Sequence, residues 1–290
     1  MVLKKRKQSK KRRSKRKGNH RTKRNSELSK KIMGGSICDY DEKNAIYIGN
    51  GAAGYVYLDL EHPESVFKLS TKNKTCREWG KEAKIYDVLN TFNIDTDLCK
   101  MIKMKKYSVD VDHQKCCMEL TRAINPIEGE IHYTIQPVFQ EENVEQKYDG
   151  RGLFLGINNL IEKNIFTKDN ISDYMKDLGI LLARLHYKVK NDGYDLELFI
   201  SKEPDGKTVI YIGDFDLSDF YDTIDDKLDT PDKNKSKKVI DNIAWSLEAF
   251  PYFPIEGELY EVFSQNYISE SEKYDQKSTA KKILDIYTGR

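Results

Sequence analysis

Eight residues of this chain have types and spacings suited to holding phosphate and a divalent cation: Gly49, Gly51, Gly54, Lys68, Glu82, Asp192, Glu197 and Asp214. The run Ile48-Gly49-Asn50-Gly51-Ala52-Ala53-Gly54-Tyr55-Val56 carries three glycines, and the missing Cβ lets backbone amides approach an anion closely. A G-x-G-x-x-G pattern that opens a helix reads as a dinucleotide loop. This one runs into Tyr55-Val56-Tyr57-Leu58, whose alternation favours a strand and so disfavours the dinucleotide reading. Val66-Phe67-Lys68-Leu69 places an ammonium between apolar strand residues. Downstream, Asp192 and Glu197 stand five apart ahead of Leu198-Phe199-Ile200, with Asp195 a rival for either role. The apolar run Val209-Ile210-Tyr211-Ile212 then leads through Gly213 into Asp214-Phe215-Asp216. A carboxylate at the end of a buried strand has to be paired or coordinate something. If Asp192, Glu197 and Asp214 converge, their repulsion raises at least one pKa unless a cation is present. Oxygen ligands of this kind suit Mg2+. Taken singly, each element has a plainer reading: a glycine turn, solvated charges, an acidic loop, a capping aspartate. The argument rests on their order.

Several elements must position these groups. A helix is expected over 75–90, with Trp79, Ala83, Tyr86 and Leu89 on one face. It offers Glu78 and Glu82 to Lys68; Glu82 lies three residues after Trp79 and four before Tyr86, beside the apolar stripe, and is the expected partner. Alternating apolar residues from Ile46 to Leu69 read as strands, and residues 97–120 as two more around a turn at 110–113. A mainly helical region follows, clearest over 171–188, where Met175, Leu178, Leu182 and Leu185 recur at helical spacing. Strands return near 196–200 and 208–212, joined by Pro204-Asp205-Gly206. Helices are expected over 235–249 and 258–286. Strands followed by helices predict an α+β fold in two lobes: a β-rich lobe over 32–120 with the glycine loop, Lys68 and Glu82, and a helical lobe over 121–290.

Charge is distributed unevenly. Residues 1–31 hold 16 of the 49 Lys and Arg and one of the 47 Asp and Glu, so the rest of the chain has 33 basic against 46 acidic residues. From Lys4 to Arg24 there is no apolar side chain, which predicts a disordered basic tail. Such a tail suits nuclear import or binding to nucleic acid or another polyanion, weakening as salt rises. No apolar run reaches the ~18 residues of a membrane helix, and no apolar stretch follows the basic N-terminus as in a secretory signal. Five scattered cysteines without metal-ligand spacing read as reduced thiols in a cytoplasmic or nuclear protein. The richness in Lys, Asn, Asp, Ile and Tyr is that of AT-rich genomes, large DNA viruses among them, for which a virion location would also fit.

The order of glycine loop, strand lysine, helix glutamate, Asp-x4-Glu and strand-Asp-Phe-Asp resembles the protein-kinase-like superfamily, nearer its aminoglycoside-phosphotransferase-like branch. Leu178-Gly179 through Leu182-Ala183-Arg184-Leu185-His186 looks like the helix before that branch's catalytic loop. A closer likeness, over roughly residues 118–267, is to a mostly fungal family of uncharacterised kinase-like domains sometimes attached to zinc fingers. Its pattern is similar to Met118-Glu119-Leu120, Pro126, Ala183-Arg184-Leu185-His186-Tyr187, Asp192, Asp195-Leu196-Glu197, Asp214-Phe215-Asp216 and Pro251-Tyr252-Phe253-Pro254. The resemblance implies that Gly49, Gly51 and Gly54 cover the phosphates of ATP and that Lys68, held by Glu82, orients them. It implies that Asp214 and Glu197 hold Mg2+ and that Asp192 accepts the proton of the acceptor hydroxyl or positions that nucleophile. Glu197 replaces the usual Asn, as in the fungal family. Lys190-Asn191 replaces His-Arg, and no Ala-Pro-Glu segment follows Asp216, which disfavours a conventional protein kinase. His186 is expected to be a packed or capping residue, and Cys116-Cys117 to lie on a core strand. The expectation is an ATP- and Mg2+-dependent phosphotransferase acting on a hydroxyl. The alternatives are a nucleotide-binding pseudokinase scaffold and a polyanion-binding packaging protein working through its tail.

Overall fold

The computed structural model describes residues 45–50, 54–59, 65–70, 73–110, 115–121, 166–203, 205–224, 232–249 and 256–289. The chain divides after Ser36, and every described residue belongs to the second unit, Ile37–Arg290. The basic tail of residues 1–31, Gly51, Pro204 and the stretch 122–165 lie outside the described residues.

The described chain is mixed α and β. β1 (Ala45–Asn50), β2 (Tyr55–Asp59) and β3 (Ser65–Ser70) form an antiparallel meander. β5 (Met104–Asp110) and β6 (Lys115–Thr121) extend it in the order β1-β2-β3-β6-β5. β3 is therefore central, and Val66, Phe67 and Leu69 are buried. Helix α1 (Asn73–Leu89) buries Trp79, Ala83, Ile85, Tyr86 and Leu89.

Residues 97–120 hold three strands rather than two. The first, β4 (Cys99–Met101), joins a different sheet, pairing in parallel with β8 (Thr208–Gly213), which pairs antiparallel with β7 (Glu197–Lys202). Three residues are too few to show a period, so the sequence carried no sign of this crossing.

Helix α2 (Ile171–Ala183) sinks Met175, Leu178, Leu181 and Leu182 into the core. It continues as a π-helix, Arg184–Val189, stopped by a left-handed Lys190. α3 (Asp232–Ala249), α4 (Gly257–Glu272) and α5 (Lys277–Thr288) complete the described elements. The single helix expected over 258–286 is thus two, broken at 273–276, where Asp275 adopts φ 60°. Aspartate tolerates that region better than most residues, and no Gly or Pro marks the break. Gly179 lets α2 and α4 meet backbone to backbone; a Cβ there would lie 2.6 Å from the Phe263 carbonyl oxygen. One continuous apolar core runs from Trp79 and Met118 through Leu182 and Phe215 to Phe263 and Ile283.

The reduced-thiol expectation is overturned. α1 packs so close to β6 that the Cα atoms of Cys76 and Cys116 are 5.5 Å apart, within disulfide reach, and the two are bonded. Cys117 is disulfide-bonded as well, and among the described residues Cys99 is the free thiol. Distant cysteines in sequence say nothing of this, because the pairing depends on where α1 lies on the sheet. The bond spans 40 residues, so a Cys76→Ala, Cys116→Ala double variant is expected to lose up to about 4 kcal/mol of stability. Denaturant midpoints under non-reducing conditions measure this; an unchanged midpoint means that the bond contributes nothing.

Candidate functional site

Lys68 leaves the middle of β3, and cross-strand pairing aligns it with Val56 on β2 and Met118 on β6. Val56 in turn faces Gly49 on β1, so the first glycine of the hairpin and the lysine share a row on one face of the sheet. Gly54, the third glycine, immediately precedes β2. A Cβ there would lie 2.2 Å from the Leu69 carbonyl oxygen and 3.0 Å from the Trp79 ring. At Gly54 the lack of a side chain therefore serves the closeness of β2, β3 and α1.

The Lys68 ammonium donates to two carboxylates, Glu82 Oε1 at 3.3 Å and Asp214 Oδ1 at 3.1 Å. Glu82 comes from the middle of α1 and is 1% exposed, whereas Glu78 is exposed. Asp214 follows β8 directly, with φ 62°. Burial alone would lower the Lys68 pKa, but Asp214 and then Glu82 outweigh it and hold the ammonium well above the usual lysine range. Glu82 moves up as well, to about 7: burial pushes hardest, Lys68 pulls down, and Asp214 and Asp216 add repulsion. The two partners thus move in the same direction for different reasons: Asp214 and Glu82 hold the proton on Lys68, while burial, aided by Asp214 and Asp216, outweighs the pull of Lys68 on Glu82. Asp216 keeps an exposed surface, yet its carboxyl is pushed to about 6, by desolvation first and then by Asp214. Among the described residues no three His, Cys, Asp or Glu side chains are grouped tightly enough to hold a metal by themselves. The side chain of Glu197 is outside that set, but its backbone pairs with Gly213, next to Asp214.

Asp192 lies just beyond the π-helix and is 2% exposed. Its Oδ1 accepts from the amides of Asp219 at 2.9 Å and Tyr194 at 3.2 Å, and its Oδ2 from Asn242 Nδ2 at 2.7 Å. Burial raises its pKa and these bonds pull it back. Asp192 therefore links to the Asp214 segment through Asp219 and to α3 through Asn242. Asp195, the rival, is half-buried with φ 64°, and its charge raises Asp216. Lys68, Glu82 and Asp214 are in direct contact, and Gly49 and Glu197 are aligned with them by strand register. Asp192 is anchored in the adjoining loop, and Gly51 is outside the described residues.

Sequence reasoning missed several partners. Asn242 and Trp245 stand one turn apart on α3; Trp245 stacks on Tyr194 with ring centroids 4.5 Å apart. Nothing in the α3 sequence marks them for Asp192, 50 residues upstream. Tyr86 offered a weak signal: a buried phenol needs a polar partner. Its oxygen accepts the Asp214 amide at 3.2 Å.

His186 is fully buried, as a packed residue would be. Nδ1 meets the Tyr267 hydroxyl at 2.8 Å, and Tyr267 donates to the Tyr187 oxygen at 3.0 Å. Nε2, on the far side of the ring, has no hydrogen-bond partner. Burial drives the His186 pKa down to about 3. Unfolded, it titrates near ~6.5, so between these values the unfolded chain binds more protons. The stability linked to His186 is complete above about pH 6.5 and is lost toward pH 3, at about 1.4 kcal/mol per pH unit. His186→Phe is expected to flatten that part of the stability–pH profile, measured as urea midpoints from pH 4 to 7. Gly54→Ala is expected to be destabilising, because its Cβ meets backbone rather than a movable side chain; a midpoint equal to wild type would show that β2 can shift.

No known family's sequence profile matches this chain, and no curated protein matches it in sequence.

Proposed function

We propose that the chain is a two-lobed, kinase-like phosphotransferase that moves the γ-phosphoryl group of ATP to a hydroxyl with the help of Mg2+. In this reading the five-stranded sheet with α1 forms one lobe and the helices the other. The observation that carries it is the Lys68 ammonium bonded at once to Glu82 on α1 and Asp214 after β8. A buried lysine needs one counter-ion to be stable. A second, from Asp214 held in left-handed backbone after β8, suits a site that orients phosphates.

Lys68 binds and orients the phosphates, with Glu82 fixing its direction. Gly49 and its hairpin neighbours lend backbone amides from the other side of the same sheet row. Mg2+, when bound, supplies the positive charge between phosphates and carboxylates. Asp214 and Glu197 would hold it, with Asp216 beside them. The site's chemistry suits such an ion: Glu82 and Asp216 hold protons more tightly than ordinary carboxylates because burial strips them of water and, second to that, neighbouring anions repel their charge, and a divalent cation offsets both. Asp192, clasped by two amides and Asn242, keeps its carboxylate in one orientation for the acceptor hydroxyl.

That clasp also favours a second reading. A carboxylate 2% exposed, with both oxygens already bonded, has little left for an incoming hydroxyl, as in a protein that holds nucleotide without turning it over. Thermal shift with ATP, with and without Mg2+, together with ATP turnover, separates the two. The phosphotransferase is expected to show a Mg2+-dependent shift and turnover, both lost in Lys68→Ala and Asp214→Ala, turnover by at least about 100-fold. A shift without turnover selects the binding protein. No shift by ATP under any condition ends both.

A further inference from the structure

Asp214 is held twice, and its second hold comes from a residue that the phosphate chemistry does not use. Its carboxylate reaches α1 indirectly, through Lys68 and Glu82. Its backbone N–H reaches α1 directly, donating to Tyr86 Oη at 3.2 Å. Glu82 and Tyr86 are four residues apart and so neighbours on one helical face. Asp214 is thus closed into a ring of Glu82, Lys68, Asp214 and Tyr86, with α1 supplying both ends.

Two further facts give the phenol a specific task. Asp214 has φ 62°, a region that costs a non-glycine residue free energy and persists only when its surroundings enforce it. Tyr86 is 0% exposed, and the next residue, Phe215, also 0% exposed, meets its ring edge-on at 5.5 Å. The aromatic contact needs only a ring, and phenylalanine would make it. The hydroxyl is the part of Tyr86 that touches the Asp214 backbone.

We infer that Tyr86 is a positioning residue for Asp214: its phenolic oxygen fixes the left-handed Asp214 amide and so aims the carboxylate into the site. This rests on the phosphotransferase reading for the purpose of that aim. The Asp214 geometry then depends on α1 by two routes, and a shift of α1 releases the lysine and the metal-holding aspartate together. Removing the hydroxyl alone loosens Asp214 while leaving the Lys68–Glu82 pair and the aromatic contact in place.

The test is Tyr86→Phe in the full chain, read in two ways. First, amide hydrogen exchange without nucleotide: the Asp214 amide is expected to exchange about fivefold faster or more, while the α1 amides around Glu82 keep their wild-type rates. Second, ATP thermal shift titrated with Mn2+: the Mn2+ concentration for half of the effect is expected to rise several-fold, with the ATP response in chelator unchanged. Unchanged exchange at Asp214 overturns the proposal. So does a uniform rise through α1, which is what lost packing would give. Faster exchange at Asp214 with an unchanged Mn2+ requirement also overturns it, since the backbone hold would then aim nothing. If the wild-type chain gives no ATP response, the functional reading fails, and the exchange result still decides whether the hydroxyl holds the Asp214 backbone.

Discussion

A single ammonium inside the fold, shared by carboxylates from two distant parts of the chain, governs how the described elements sit together. Lys68 belongs to a central strand and has 17% of its side chain exposed. A charge so placed is tolerable only if paired, and removing one partner of such a pair leaves the other charge uncompensated. Glu82 requires α1 to lie across the sheet in one register, and Asp214 requires β8 to end beside it. The three residues span positions 68 to 214, so the contact ties the five-stranded sheet directly to the end of β8 in the β4-β8-β7 sheet and adds α1 through Glu82.

Around this contact the backbone leaves regular geometry. Three of the four described non-glycine residues with positive φ, Lys190, Asp195 and Asp214, lie in the two loops that lead to and from the acids. The π-helix before Lys190 belongs to the same set; such widened turns recur at functional sites. Hydrogen bonds brace the π-helix and the residues that follow it. The Tyr221 hydroxyl donates to the His186 carbonyl, the Asn191 amide to the Leu185 carbonyl at 3.2 Å, and the Gly193 amide to Asn191 Oδ1 at 2.9 Å. Arg184 fixes the start of the π-helix from outside, bonding Glu270 on α4 and the carbonyls of Ile94 and Asp95. The loops are thus strained but enclosed, which suits side chains that must keep one direction.

Lys68, Glu82 and Asp214 stood out one by one in local pattern because each sits on an element whose period shows. Lys68 interrupts an apolar strand, Glu82 flanks a helical stripe, and Asp214 ends a buried strand. Asp192 was legible only as a position. Its spacing to Glu197 singled it out, but its burial and its clasp by Asn242 depend on a helix 50 residues away, and no local pattern encodes that. The same holds for the disulfide between Cys76 and Cys116 and for the crossing of β4.

By itself the sequence determined the alternation of strand and helix, the mixed α and β class, the cationic tail on an acidic body and the candidate polar residues, because periodicity and charge are local properties of a chain. Tertiary structure alone decided which acids share the lysine, that Gly54 is needed for backbone closeness, that Asp192 is clasped, and that a tyrosine hydroxyl holds the Asp214 amide. Those outcomes depend on distances between residues tens to hundreds of positions apart, which only the packed core fixes.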